Sequence, residues 1–177
     1  MSGDTFARML ALALSSAVAL IFLRAVYHKL SEFTEFTGFV TDYRLLPETL
    51  VHPASVALVV AEAAVVLGTF APGGQPVAMT LGAGLFLLYA VGIGINVARG
   101  RTTIECGCGG APQAVGPALL WRNGILATAA LAAAALPSGG LPVASSVAAL
   151  ATGLLLWVAF LLADLLLSNA SLARRSL

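Results

Sequence analysis

Five runs of apolar residues dominate the chain, at about 6–27, 51–70, 77–97, 118–136 and 143–167. Each is close to the ~20 residues an α-helix needs to cross a hydrocarbon core of ~30 Å. None alternates apolar and polar residues at period two, so the pattern predicts helices, whose backbone bonds are satisfied within the segment, and not the strands of a membrane barrel. Breakers mark the boundaries. Ala-Pro-Gly-Gly-Gln-Pro follows the second run, Pro-Ser-Gly-Gly-Leu-Pro follows the fourth, and Pro117 stands where a first helical residue tolerates proline. The expected fold class is all-α, a polytopic membrane helix bundle of four to five transmembrane helices in a single integral-membrane domain over residues 1–177.

Between the first two runs, residues 28–50 carry Phe33, Phe36, Phe39, Val40 and Tyr43 at mostly helical spacing, with Lys29, Glu32, Glu35, Asp42 and Arg44 interspersed. Such an amphipathic segment suits the membrane interface. Ser16-Ala17-Val18-Ala19 resembles a cleavage site, but hydrophobicity continues to Val26 and the stretch before it is not basic, so the first run is expected to be a retained span. Gly82, Gly84, Gly92 and Gly94 in the third run, and the alanines of residues 127–135 in the fourth, predict closely approaching helices.

Composition agrees with the pattern. Hydrophobic residues make up 59% and charged residues 10%, against roughly 25% charged in soluble domains. A polar surface cannot be built from so few charges, so a lipid bilayer is the expected surrounding, as a multi-pass protein of the cell (inner or plasma) membrane. The formal net charge of +1 supplies no basic footprint for nucleic acid.

Both cysteines fall in one glycine-rich connection, residues 98–117, within Gly-Arg-Thr-Thr-Ile-Glu-Cys-Gly-Cys-Gly-Gly-Ala-Pro-Gln-Ala-Val-Gly. A thiol pair can pack, bind a soft metal ion, or exchange with a disulfide. Packing suits a helix face better than a loop, and structural zinc takes four ligands, so no metal site is assigned. Exchange needs only two sulfurs, and Gly107 permits the sharp turn that a bridge between Cys106 and Cys108 demands. A strained bridge of this kind tends to be labile and oxidising. With a single pair, any electron route must pass through this loop.

Polar residues near the loop or inside the apolar runs complete the candidates. Arg99 and Arg101 precede the cysteines, and Arg122 and Asn123 follow; positive charge favours thiolate, although interfacial anchoring also accounts for Arg99 and Arg101. Asn96, Glu62 and Asp164 interrupt apolar runs. Ionisable groups within a span are expensive, which marks Arg122 and above all Glu62. Glu62 is expected to pair with Arg24 or Arg122, or to accept a proton. Arg24 and Lys29 near the end of the first run are equally explained by snorkelling.

The succession Arg24, Lys29, Phe36, Tyr43, Pro47, Glu62, then Asn96, Arg99-Gly-Arg, Cys106-Gly-Cys-Gly-Gly and Arg122-Asn123 is similar to the MauE branch of the DoxX-like membrane proteins, over about residues 20–130. That resemblance implies methylamine utilisation: thiol–disulfide work on extracytoplasmic proteins, such as maturation of the disulfide-rich small subunit of methylamine dehydrogenase, beside a thioredoxin-like MauD-type partner. It also implies a loop facing outward. Five spans put the loop and the C-terminus on one side, and Lys29, Arg44, Arg99, Arg101, Arg174 and Arg175 would make that side cytoplasmic under the positive-inside rule.

Three functions are therefore expected to compete. In the first, Cys106 and Cys108 exchange electrons with a thioredoxin-like partner, and a quinone stacked among Phe, Tyr and Trp121 near Arg122 is a candidate acceptor. In the second, the pair captures a soft metal ion for transport past Glu62, Asn96 and Asp164. In the third, the protein is a non-catalytic assembly scaffold.

Overall fold

The computed structural model describes residues 2–104 and 114–175, with side chains to residue 169. Six helices follow one another: α1 (Gly3–Ser31), α2 (Phe33–Asp42), α3 (Glu48–Phe70), α4 (Gln75–Ala98), α5 (Pro117–Ala135) and α6 (Val143–Arg175). Five of them, all but α2, are long and apolar enough to cross a membrane. No β-strand occurs among the described residues. The protein is a multi-pass membrane helix bundle.

Local chemistry sets the ends of these helices. Ser2 caps α1 by accepting from the Thr5 amide at 3.3 Å, with Asp4 in the first turn facing the positive helix end. Prolines occupy the first turns of α4 and α5, where no backbone donor is needed. Gly100, at φ 70°, ends α4 in the left-handed conformation that a helix C-terminus favours.

The packing follows small side chains. α4 lies against α5 and α1 against α6 over the most extensive contacts, while α3 bridges α1 and α4. Ala127, Ala130 and Ala133 give α5 a buried face toward this core, and Phe22 stacks on Phe86 with ring centroids 4.7 Å apart. Of the α4 glycines, Gly82 makes the close helix approach: a Cβ there would lie 3.1 Å from the Phe22 ring. Gly84 faces open space, and Gly92 makes room for the Tyr43 ring.

Hydrogen bonds identify the two ends of the bundle. At one, Arg8 donates to the Gly139 carbonyl and Gln75 to the Ala133 carbonyl. At the other lie the end of α1, the α2 segment, the end of α4 and the start of α5. There α2 lies against α3 and the end of α1, burying Phe36, while Thr34, Glu35 and Gly38 stay exposed.

Candidate functional site

Three polar groupings occur in or beside the spans, and the first lies deep. Glu62 sits 14 residues into α3, about 21 Å along the axis at 1.5 Å per residue. Its carboxylate is wholly buried. Oε1 accepts from the Lys29 ammonium and, at 2.5 Å, from the Tyr89 hydroxyl, while Lys29 also donates to Tyr89 at 3.2 Å. The ammonium stands 4.8 Å from the Phe36 ring centroid and 5.0 Å from that of Tyr89, adding cation–π attraction. Three elements thus converge on one buried charge pair, which α2 covers.

The expected pairing of Glu62 with Arg24 or Arg122 does not occur. Both arginines turn instead to Asp164 of α6: Arg122 donates to Oδ1 at 2.5 Å, and Arg24 approaches Oδ2 at 3.7 Å. The reason is geometric. Lys29, five residues beyond Arg24 on α1 and so on a different part of its circumference, meets Glu62, and its flexible stem reaches inward where snorkelling toward water is the alternative. A space of about 30 Å³, comparable to one water molecule, lies between the two groupings. It is bounded by Glu62 and Tyr89 on one side and by Arg24, Arg122, Asn123 and Asp164 on the other. Glu62 Oε2 is buried there without a hydrogen-bond partner among the described residues.

The third grouping forms the base of the cysteine loop. Asn96 donates to the Tyr43 carbonyl at 3.2 Å, and its own carbonyl oxygen accepts from Arg101 at 3.2 Å. Arg101 also reaches the Tyr43 carbonyl at 3.5 Å, and Arg99 the Arg44 carbonyl at 3.4 Å. These bonds staple the end of α2 to the end of α4. Val115 then donates its amide to the Ile104 carbonyl at 3.0 Å, drawing the two strands of the loop together. Beneath them Ile93, Val115 and Leu119 pack with Tyr43, Val97, Ile104 and Leu120. Burial pushes the Tyr43 phenol up to about 12, against a smaller opposing pull from Arg122. Cys106 and Cys108 themselves lie outside the described residues.

Asn123 spends its amide on the Leu119 carbonyl within α5. Trp121 is 77% exposed on the outside of α5, so the aromatic wall expected beside Arg122 is not there; Phe160 takes that place, 6.0 Å from the guanidinium. Tyr89 is not singled out by the sequence. Its one sequence signal is a spacing of seven residues to Asn96, which puts both on one face of α4. No three His, Cys, Asp or Glu side chains gather into a metal site among the described residues.

Comparison with known proteins points one way. The family model of the methylamine utilisation protein MauE matches residues 7–137. The methylamine utilization protein MauE of Paracoccus denitrificans is 40% identical over 122 residues, 67% of this chain and 65% of the relative. That of Paracoccus versutus is 40% identical over 121 residues, with the same two shares, and that of Methylorubrum extorquens 37% over 113 residues, 63% and 61%. The matched part therefore spans less than two thirds of the length of these relatives. No solved structure matches the chain.

Proposed function

This chain belongs to the methylamine utilisation protein MauE family, and we propose that it is a membrane thiol–disulfide exchange factor acting in protein maturation. Cys106 and Cys108 form the working pair, a thioredoxin-like, MauD-type protein is the partner, and the loop faces the extracytoplasmic side of the inner membrane. The client is a disulfide-bearing extracytoplasmic protein, the small subunit of methylamine dehydrogenase or one like it.

The observation that supports this reading is the construction of the loop base. Ile104 and Val115, between which residues 105–113 and both thiols fall in the sequence, are joined by a 3.0 Å backbone bond and belong to a packed apolar cluster. A reactive pair gains from such a platform, because exchange requires a partner's sulfur to approach in line. Arg99 and Arg101 place positive charge at this base, which favours thiolate. The soft-ion reading has less support. Glu62 and Asp164, which would line its path, each face cations already in place.

The test is trapping. In Cys106→Ser or Cys108→Ser, the remaining thiol attacks but cannot be resolved. One of the two variants should accumulate a reductant-sensitive adduct with a thioredoxin-like protein on non-reducing electrophoresis. Failure of both variants to trap any partner overturns exchange. Full function with both cysteines replaced by serine would leave the scaffold reading.

A further inference from the structure

An apolar cavity of about 490 Å³ opens between α2, α3 and α4, directly above the buried charge pair. Its size falls within the range of small-molecule sites, roughly 300–1,000 Å³. Phe36 and Tyr43 are among the residues lining the cavity, and Ala57 and Ala61 line it from α3. Leu45, Leu46 and Leu88, all exposed, stand at the mouth. Such an apolar mouth suits a ligand that arrives from hydrocarbon.

Lys29 and Tyr89 form the floor of this largely apolar cavity. An ammonium has three protons to donate. One goes to Glu62 and one to the Tyr89 oxygen, and among the described residues the third meets no oxygen or nitrogen acceptor. A buried donor without an acceptor is costly, so the site is suited to a ligand that brings an oxygen acceptor to the floor and an apolar body to the walls. The cavity also shares a wall with the loop base. Tyr43 lines the cavity and packs on the cluster of Ile93, Val115 and Leu119 at the base of the loop.

We propose that this cavity binds the ring of a lipid-soluble quinone, with one carbonyl oxygen accepting from Lys29 and the ring lying between Phe36 and Tyr43. The electron-transfer role of this ligand rests on the exchange reading above. There, two thiols lose two electrons and two protons as an S–S bond forms, and the quinone takes up both electrons and both protons to become a quinol. Binding itself does not depend on the cysteines, which allows the two ideas to fail separately. The position differs from the Trp121 side of the bundle, where Trp121 itself is exposed on the outside of α5.

The full-length protein in nanodiscs would be titrated calorimetrically with decylubiquinone and with decylbenzene, which has a similar tail and no carbonyl. Saturable quinone binding at least tenfold tighter than decylbenzene is expected. Ala57→Phe, which adds bulk to the α3 wall of the cavity more than one helical turn from Glu62, should weaken quinone binding at least tenfold. Lys29→Met combined with Glu62→Leu, which removes the donor and its counter-charge together, should do the same. The Cys106→Ser/Cys108→Ser protein should bind quinone like the wild type and fail to reduce it in the presence of a reduced thioredoxin-like donor. Equal affinity for decylbenzene, or unchanged quinone affinity in Ala57→Phe, overturns the site and indicates an acyl-chain groove. Normal binding with no reduction by the wild type leaves the site standing and counts against exchange.

Discussion

The ammonium of Lys29 on α1 meets the carboxylate of Glu62 on α3 in the interior of the bundle, with neither group more than a few per cent exposed. Lipid and protein interior alike offer these charges no water, so the pair stands only because each neutralises the other and because Tyr89 and Phe36 complete their surroundings.

Removing one partner should therefore cost much more than removing both. Glu62→Leu or Lys29→Met alone is expected to destabilise the protein by about 3–5 kcal/mol, because the other charge stays buried and uncompensated. The double variant should return to within about 1 kcal/mol of wild type. Reversible unfolding of all four proteins in one detergent checks this; additive losses would show that the two groups do not depend on each other.

Asp164 serves two arginines unequally. Arg122 donates to it at 2.5 Å and is largely buried, whereas Arg24 stands 3.7 Å away and is 26% exposed. Arg122→Gln should cost about 2–4 kcal/mol by the logic of buried pairs, and Arg24→Gln at most about 1 kcal/mol. The same unfolding measurement decides between them, and equal losses would contradict the geometry.

These pairings also show how far the sequence could be read. The five apolar runs locate five helices because length and hydropathy are local properties. Their ends extend beyond the runs, to Gly3 and Ser31 in α1 and Arg175 in α6, because polar residues continue a helix once it is nucleated and capped. Glu62 announces itself as a charge in an apolar run. Its partner does not, because sequence order says nothing about depth across two packed helices, and Lys29 reads as an ordinary interfacial cation. Tyr89 is still less legible, since an aromatic residue within an apolar run is ordinary. Gly153, set among the leucines of α6, is no more legible.

That glycine sets the α1–α6 contact. A Cβ at Gly153 would lie 1.9 Å from Ser16 Oγ and 2.7 Å from the Ala13 carbonyl oxygen. The hydroxyl can rotate away but the carbonyl cannot, so Gly153→Ala must push the helices apart, at about 1–3 kcal/mol. Gly84→Ala, where a Cβ meets nothing within 4 Å, should be neutral or stabilising by up to about 1 kcal/mol through helix propensity. Thermal unfolding midpoints of the two variants should move in different directions or by very different amounts.

Tyr43 gives the α2–α4 junction a pH dependence. Its phenol is raised from 10.0 to about 12 by burial, so folding favours the protonated form. The resulting stabilisation is complete below pH 10 and is lost as pH rises through about 12. Spectroscopic titration of phenolate should show a step near 12 that Tyr43→Phe removes. A Tyr43 that titrates near 10 would mean that its ring is solvated.

The charge count that argues against an outward-facing cysteine loop changes once its cations are placed. By count alone, Lys29, Arg44, Arg99, Arg101, Arg174 and Arg175 would hold that end in the cytoplasm. Yet Lys29 is neutralised by Glu62 inside the bundle, and Arg99 and Arg101 donate to the carbonyls of Arg44 and Tyr43, closing the base of the loop. Half of the count is thus accounted for by folding, without any demand from topology, which supports the proposed outward orientation. A membrane-impermeant maleimide, applied to intact cells after mild reduction and after removal of any outer barrier, should label Cys106 and Cys108. The Cys106→Ser/Cys108→Ser protein carries no thiol and serves as the blank. Labelling that appears only after the membrane is permeabilised would place the pair in the cytoplasm, where its exchange partner would have to be a cytoplasmic dithiol.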